Sequence, residues 1–289
     1  MSVISPSGAD LSKTQRPSRP WLEKLKVHAT GIILISIVVT YVAFLILAPI
    51  TALIFGAFEQ GLGAVLSSLN HPDIFRAFWN TVWISVVVVI VHVIFGTIVA
   101  WVFVRHHFPG RDLINGLIDM PFAVSPVVAG YMLLLLFGRN GFLTPIIEPM
   151  GIRVAFALPG MVLATLFVTL PFMVRELVPV LEAFDTRQEL AAATLGASSW
   201  QTFWRVTFPA LRWGLIYGIT LTFARALGEF GAVFVIGGAV QGKTETATLY
   251  IYRALEEREY IGAYSAALLL GLFSLILVLG SDWLRRSRH

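Results

Sequence analysis

The chain has 289 residues, 57% of them hydrophobic and 13% charged, with a mean hydropathy of +0.79 and a formal net charge of +4. Ordinary soluble domains carry about a quarter charged residues, so this composition excludes a soluble globular domain, a disordered chain and a coiled coil. With no cysteine, disulfides, thiolate metal sites, iron–sulfur clusters and thiol nucleophiles are excluded together, and the scattered basic residues do not form a nucleic-acid patch.

The first thirty residues are polar and rich in Ser, Pro and Lys/Arg. They lack a small-residue cleavage site, and the apolar run after them is too long for a signal h-region. They read as a cytoplasmic tail (1–30) ahead of a signal anchor. A membrane-crossing helix needs about 20 mostly apolar residues, and six stretches qualify: roughly 31–55, 81–104, 113–137, 156–174, 213–236 and 263–283. Trp21, Trp213 and Trp283 lie near span ends, where aromatic side chains anchor at the interface. In domain terms, a first transmembrane helix (31–58) precedes a multi-span helical bundle (76–284).

Orientation follows from the basic residues between spans. With the N-terminus inside, the inner segments hold fourteen Lys and Arg and the outer loops hold six, with Arg225 inside the fifth span. A multi-pass protein of the inner (plasma) membrane, with both termini cytoplasmic and its lipid-facing surface apolar, is the expectation.

In chain order, the first polar feature within a span is His92, a lone histidine that suits hydrogen-bonded packing better than paired haem ligation. Asp119 follows, beside Pro121 and Pro126, and can serve freed backbone groups or neighbour Arg175. No His, Asp or Glu cluster suggests a metal, and no cofactor motif is credible.

The inner connector 175–212 is too long for a turn. Thr186-Arg187-Gln188-Glu189 and Ser198-Ser199-Trp200-Gln201 both fit capping boxes, and Gly196 between them suits a left-handed helix terminus. Trp200, Phe203, Trp204 and Thr207 recur at helical spacing, and Pro209 stops that helix or opens the fifth span. Two short helices joined at a glycine elbow make either a partner-binding knob or a plain surface connection.

In the fifth span Arg225 and Glu229, four residues apart, share a helical face. Charges at this depth are costly and face an interior or a wet cavity, so the pair is a candidate gate or a structural ion pair. Gly237–Thr244 matches the phosphate-cradling pattern G-x-x-x-x-G-K-[ST], but it follows a membrane span and falls on the outer side. A glycine-rich exit from the span is the better reading.

The run from Glu189 to Pro209 resembles the "EAA" loop of ABC importer permeases. Ala191, Ala192, Gly196, Val206 and Pro209 match it in register, while Leu190 stands at the usual Glu position and Glu189 lies one residue earlier. Asp119–Gly130, Leu170–Val180 and Ala224–Val233 are similar to the sulfate/thiosulfate importer permeases, of the W type. The resemblance implies an all-α integral membrane protein, a six-helix type-1 permease bundle with a cytoplasmic coupling loop, and no catalysis of its own. It further implies a second, T-type permease subunit, a dimer of ATP-binding subunits docked on Glu189, Ala191, Ala192, Gly196 and Pro209, and a periplasmic sulfate-binding protein. The other readings are a permease for another oxyanion such as molybdate, or a stand-alone secondary transporter. The latter calls for more intramembrane ionisable groups or an inverted repeat of broken helices, and neither is evident in the sequence.

Overall fold

The computed structural model describes the backbone of residues 20–286 and the side chains of residues 31–281 and Trp283. The first nineteen residues of the expected tail, and the Trp21 side chain, lie outside the described residues. All regular elements among the described residues are helical.

The chain divides into units 1–52 and 53–289. Helix α1 (Pro20–Phe58) begins in the first, ahead of the expected anchor, and ends in the second, and its apolar stretch Gly31–Phe58 is 0% buried over the most hydrophobic window. Exposed Ile, Leu, Val and Phe on all sides of one helix suit hydrocarbon, where no aqueous penalty opposes them.

The second unit runs α2 (Leu62–Leu69), α3 (Pro72–Arg105), α4 (Arg111–Ala123), α5 (Pro126–Phe137), α6 (Thr144–Ile147), α7 (Leu158–Ala183), α8 (Arg187–Thr194), α9 (Ser199–Thr202), α10 (Phe208–Leu227), α11 (Gly231–Gly237), α12 (Ala247–Glu256) and α13 (Tyr260–Arg286). Helices α3, α7 and α13 are long and apolar enough to cross a membrane unbroken, like the Gly31–Phe58 stretch of α1. The expected third and fifth spans are not straight. The α4–α5 pair bends by 114°, and Ser199–Leu227 with α11 bends by 57°.

Local chemistry accounts for both bends. Ser125 precedes Pro126 and is extended (φ −58°, ψ 137°), because the proline ring disfavours a helical residue before it. At the second break Gly228, Glu229 and Phe230 leave helical geometry. The amide and carbonyl groups freed there find new partners: Ala232 N donates to Glu229 Oε1 at 3.1 Å, and Thr248 Oγ1 donates to Glu229 O at 2.7 Å. Broken helices survive at membrane depth where neighbouring groups re-satisfy the backbone in this way.

Close approach, more than bulk, holds the long helices together. Lipid tails are as apolar as Leu, so helix association relies on packing and on small residues at the contacts. A Cβ on Gly214 would lie 2.9 Å from Val180 Cγ2, and one on Gly218 would lie 2.8 Å from Met173 Sδ, so this G-x-x-x-G pair seats α10 against α7. Gly96 meets Met173 from α3 in the same manner. Between the half-helices, a Cβ on Gly130 would come within 2.8 Å of Ala232 O. Ala100, Met173, Leu177, Leu181, Leu211 and Leu215 form one core cluster, and Ile84, Val88, Ala164, Val168, Ala232 and Ile236 belong to another.

Hydrogen bonds also cross between helices. Buried His92 shares one with Thr169 Oγ1 at 2.9 Å, and Thr169 and Thr165 each return a hydroxyl bond to the carbonyl four residues back. The lone histidine is thus a packing group joining α3 to α7.

Candidate functional site: the elbow and its anchors

The elbow lies between the C-terminal end of α7 and the start of α10. Helix α8 carries Ala191, Ala192 and Ala193 and buries none of its residues. Gly196 ends it in the left-handed region at φ +84°, where a side chain is disfavoured. Ala197 N reaches back to Ala192 O at 3.0 Å, a bond that satisfies an orphan helix-end carbonyl.

The second capping box forms as the sequence predicts. Ser198 Oγ accepts from Gln201 N at 3.3 Å and Gln201 Oε1 accepts from Ser198 N at 2.9 Å. After α9 the chain makes one turn of π-helix, Phe203–Thr207, and enters α10 with Pro209 in its first turn. Pro209 therefore opens the fifth span. The aromatic stripe is real: Trp204 packs on Phe208 with ring centroids 4.8 Å apart, and Phe203 meets Trp101 of α3 edge-on at 5.9 Å.

The first capping box does not form. The Thr186 side chain makes no cap bond, and Asp185 Oδ1 accepts from Arg187 N at 2.9 Å in its place. Glu189 turns towards the spans. Its Oε1 accepts from Arg105 Nη2 at 3.0 Å and from Thr207 Oγ1 at 2.7 Å. A charge-assisted bond to a guanidinium is about twice as strong as a neutral one, so the carboxylate goes there in preference to the Thr186 amide. The outward face of the elbow is left apolar, with Leu190 64% and Leu195 88% exposed.

Two further ion pairs stand in or near the spans. Arg175 holds Asp119 through Nε at 2.7 Å and also reaches Asn115 Oδ1 at 2.8 Å, tying α4 to α7. Arg225 Nη1 lies 2.8 Å from Glu229 Oε2, and the glutamate side chain is 2% exposed. The expected pair is therefore assembled across the α10–α11 break, and its carboxylate also serves the first turn of α11.

At the other end of the bundle, Gly237–Thr244 is no phosphate cradle. It joins two helices, and its Thr244 hydroxyl is occupied, donating to Gly237 O at 2.7 Å and accepting from Val240 N at 3.1 Å. The loop is strapped to α3 by Asn80, whose Nδ2 donates to Lys243 O and Glu245 O at 3.1 and 3.0 Å. Buried Glu245 takes Arg253 Nε at 2.7 Å. That hydrogen bond raises the Arg253 pKa above its ordinary value. Sequence reasoning missed this strap: Arg253–Glu257 has the i,i+4 signature, but Glu245 lies ahead of the helix, where spacing says nothing. It also missed Arg105, whose place beneath the elbow has no local signal. Among the described residues no group of acidic or histidine side chains could hold a metal.

Comparison with known proteins agrees with this architecture. Residues 92–288 match the family described as "Binding-protein-dependent transport system inner membrane component", and the chain belongs to that family of importer permeases. It is 46% identical over 243 residues to the sulfate transport system permease protein CysW of Synechococcus elongatus, covering 84% of this chain and 85% of the relative. The Escherichia coli K12 CysW is also 46% identical, covering 84% of each, and the E. coli CysT is 36% identical, covering 85% of this chain and 88% of CysT. Among solved structures, a bacterial ABC transporter involved in the import of alginate superposes with a TM-score of 0.76 at 16% identity, over 94% of this chain and 99% of the other. At that identity the likeness is one of fold.

Proposed function

We propose that this chain is one of two permease subunits of an ATP-driven sulfate and thiosulfate importer of the inner membrane. A T-type permease is its partner, a periplasmic sulfate-binding protein delivers the anion, and a dimer of ATP-binding subunits drives the cycle. Both termini and the elbow face the cytoplasm. The chain itself catalyses nothing.

The observation that carries the reading is the elbow. A short alanine-rich helix, closed by a left-handed glycine, presents exposed Leu190 and Leu195 while its one carboxylate is turned back towards the spans. Such a knob is shaped to seat in a groove of a second protein, with Ala191 and Ala192 allowing close approach, Gly196 making the turn and Pro209 fixing the entry to α10. Sulfate enters through the curated relatives, whose names assign it to them.

Mechanically, closure of the ATPase dimer would shift the elbow and, through α10, the bundle. Moving a two-state equilibrium from about 1:99 to 99:1 takes roughly 5.5 kcal/mol of differential contact, and ligand-driven states differ only by such contacts. The Arg225–Glu229 pair acts in this scheme as a structural or gating brace. Glu229 would repel sulfate, so the pair is a poor anion site.

Reconstituting the chain with its T-type partner, ATPase and binding protein in liposomes tests the reading. ATP-dependent uptake of labelled sulfate and thiosulfate is expected. Uptake of molybdate in preference to both would reassign the anion, and uptake by this polypeptide alone would overturn the importer reading.

A further inference from the structure

We propose that Glu189 is a latch: a positioning residue whose carboxylate is the polar tie that transmits movement of the elbow into α3 as well as α10. The proposal rests on the importer reading above and adds a route that the reading does not contain. Chain connectivity by itself joins the elbow to α7 and α10.

Helix α8 is not seated by burial. It buries no residue, so apolar packing cannot fix it to the bundle. Between it and the spans lies a cleft of about 420 Å³, lined by Trp101, Arg105, Glu189, Leu190, Ala193 and Phe203 among others. Across this cleft Glu189 Oε1 takes both Arg105 Nη2 and the fully buried Thr207 hydroxyl. One oxygen thus joins α8, the last residue of α3 and the π turn that opens α10.

The receiving end is held firmly. The Arg105 side chain is 14% exposed, and its guanidinium carbon sits 5.2 Å from the Trp101 ring centroid and 5.7 Å from that of Phe184, the residue that follows α7. Cation–π contacts strengthen when the cation is desolvated, so the arginine is braced by α3 and by the end of α7 before Glu189 meets it. Thr207 lies in a π turn, a geometry frequent at functional sites. A displaced α8 must then either carry Arg105 and Thr207 with it or break two part-buried hydrogen bonds, which leaves charge unpaired at a cost.

The position also fits the sequence. Leu190 stands where importer permeases of this loop type usually have Glu, and it lies 64% exposed at the rim of the cleft. The carboxylate one residue earlier lies on the span-facing side of the same helix.

Two readouts test the latch, one of them independent of transport. In the full-length chain in lipid nanodiscs, Glu189→Ala is expected to raise amide hydrogen exchange across residues 187–194 at least tenfold, while α10 beyond Leu215 stays protected. In the reconstituted complex, Glu189→Ala and Arg105→Ala are expected to lower ATP-driven sulfate uptake at least tenfold with the ATPase still co-purifying. Glu189→Gln, which keeps the shape and one acceptor oxygen, is expected to fall in between, and the exchanged pair Glu189→Arg with Arg105→Glu to exceed either charge change alone. Unchanged exchange in α8, wild-type uptake by Glu189→Ala, or an exchanged pair no better than its single changes would overturn the latch. A wild-type complex that shows no ATP-driven uptake would overturn the importer reading, with the exchange measurement still deciding the latch.

Discussion

Two glutamates show how burial sets the stakes at single positions. Glu245 and Glu229 are each 2% exposed at the side chain, and each is held by one arginine. Breaking a buried pair by removing one partner costs about 3–5 kcal/mol, because the remaining charge is left uncompensated. Arg253→Ala should therefore destabilise the chain by about 3 kcal/mol, read as a fall in unfolding temperature in detergent. An unchanged midpoint would show that the strap contributes nothing.

The sign of its pH dependence follows from the raised Arg253 pKa. A group raised in the folded state lends stability below its unfolded pKa and loses it only as pH climbs through the folded value. Both values lie far above neutrality, so the Arg253 contribution is expected to be flat between about pH 6 and 9. A fall in the amide-exchange protection of residues 245–254 of the wild-type chain within that window would contradict the assignment.

Arg225→Gln leaves Glu229 buried and unpaired. It is expected to lower the unfolding temperature more than the double change Arg225→Gln/Glu229→Gln. Equal falls would mean that the two groups act separately. That pair was legible in the sequence from its four-residue spacing, although Glu229 itself lies in the break after α10. The Glu189–Arg105 contact was not, because 84 residues separate its partners and a strong local motif, the capping box, competed for the same carboxylate.

For whole elements, legibility followed length. The straight spans declared themselves by runs of apolar residues, and the glycine elbow by a stop signal between two helix starts. The bends did not. Pro126 marks a break, yet the 114° turn at that break is settled by what α5 packs against. Close approach of Gly130 to the Ala232 carbonyl is part of that setting. Gly130→Ala places a methyl group against backbone that cannot swing aside, at a cost of about 1–3 kcal/mol. Gly96→Ala meets only the flexible Met173 side chain and should cost less. Paired detergent-melting curves compare them, and a larger fall for Gly96→Ala would contradict the packing argument.

The same reasoning explains why the phosphate-loop pattern misleads. Gly237–Thr244 has the right letters, but a helix precedes it and its Thr244 hydroxyl is spent on the loop's own backbone. The pattern is a folding solution for a tight exit from α11, with Gly238 and Gly242 both in the left-handed region.

Across the whole molecule, the composition excludes a soluble domain, the helices form a membrane bundle, and the family assigns the bundle to binding-protein-dependent import. Within that frame one end carries the exposed elbow and the opposite end carries the strapped loop of Asn80, Glu245 and Arg253. This division of labour fits a machine driven from one side and loaded from the other. The absence of cysteine from the sequence makes the central claim directly measurable. Leu195→Cys, at a position of the elbow that is 88% exposed, can be challenged with a membrane-impermeant thiol reagent in vesicles of defined sidedness. Labelling is expected only from the face that meets ATP, with protection once the ATPase subunits are bound. Labelling from the opposite face, or labelling that bound ATPase leaves unchanged, would contradict the central claim.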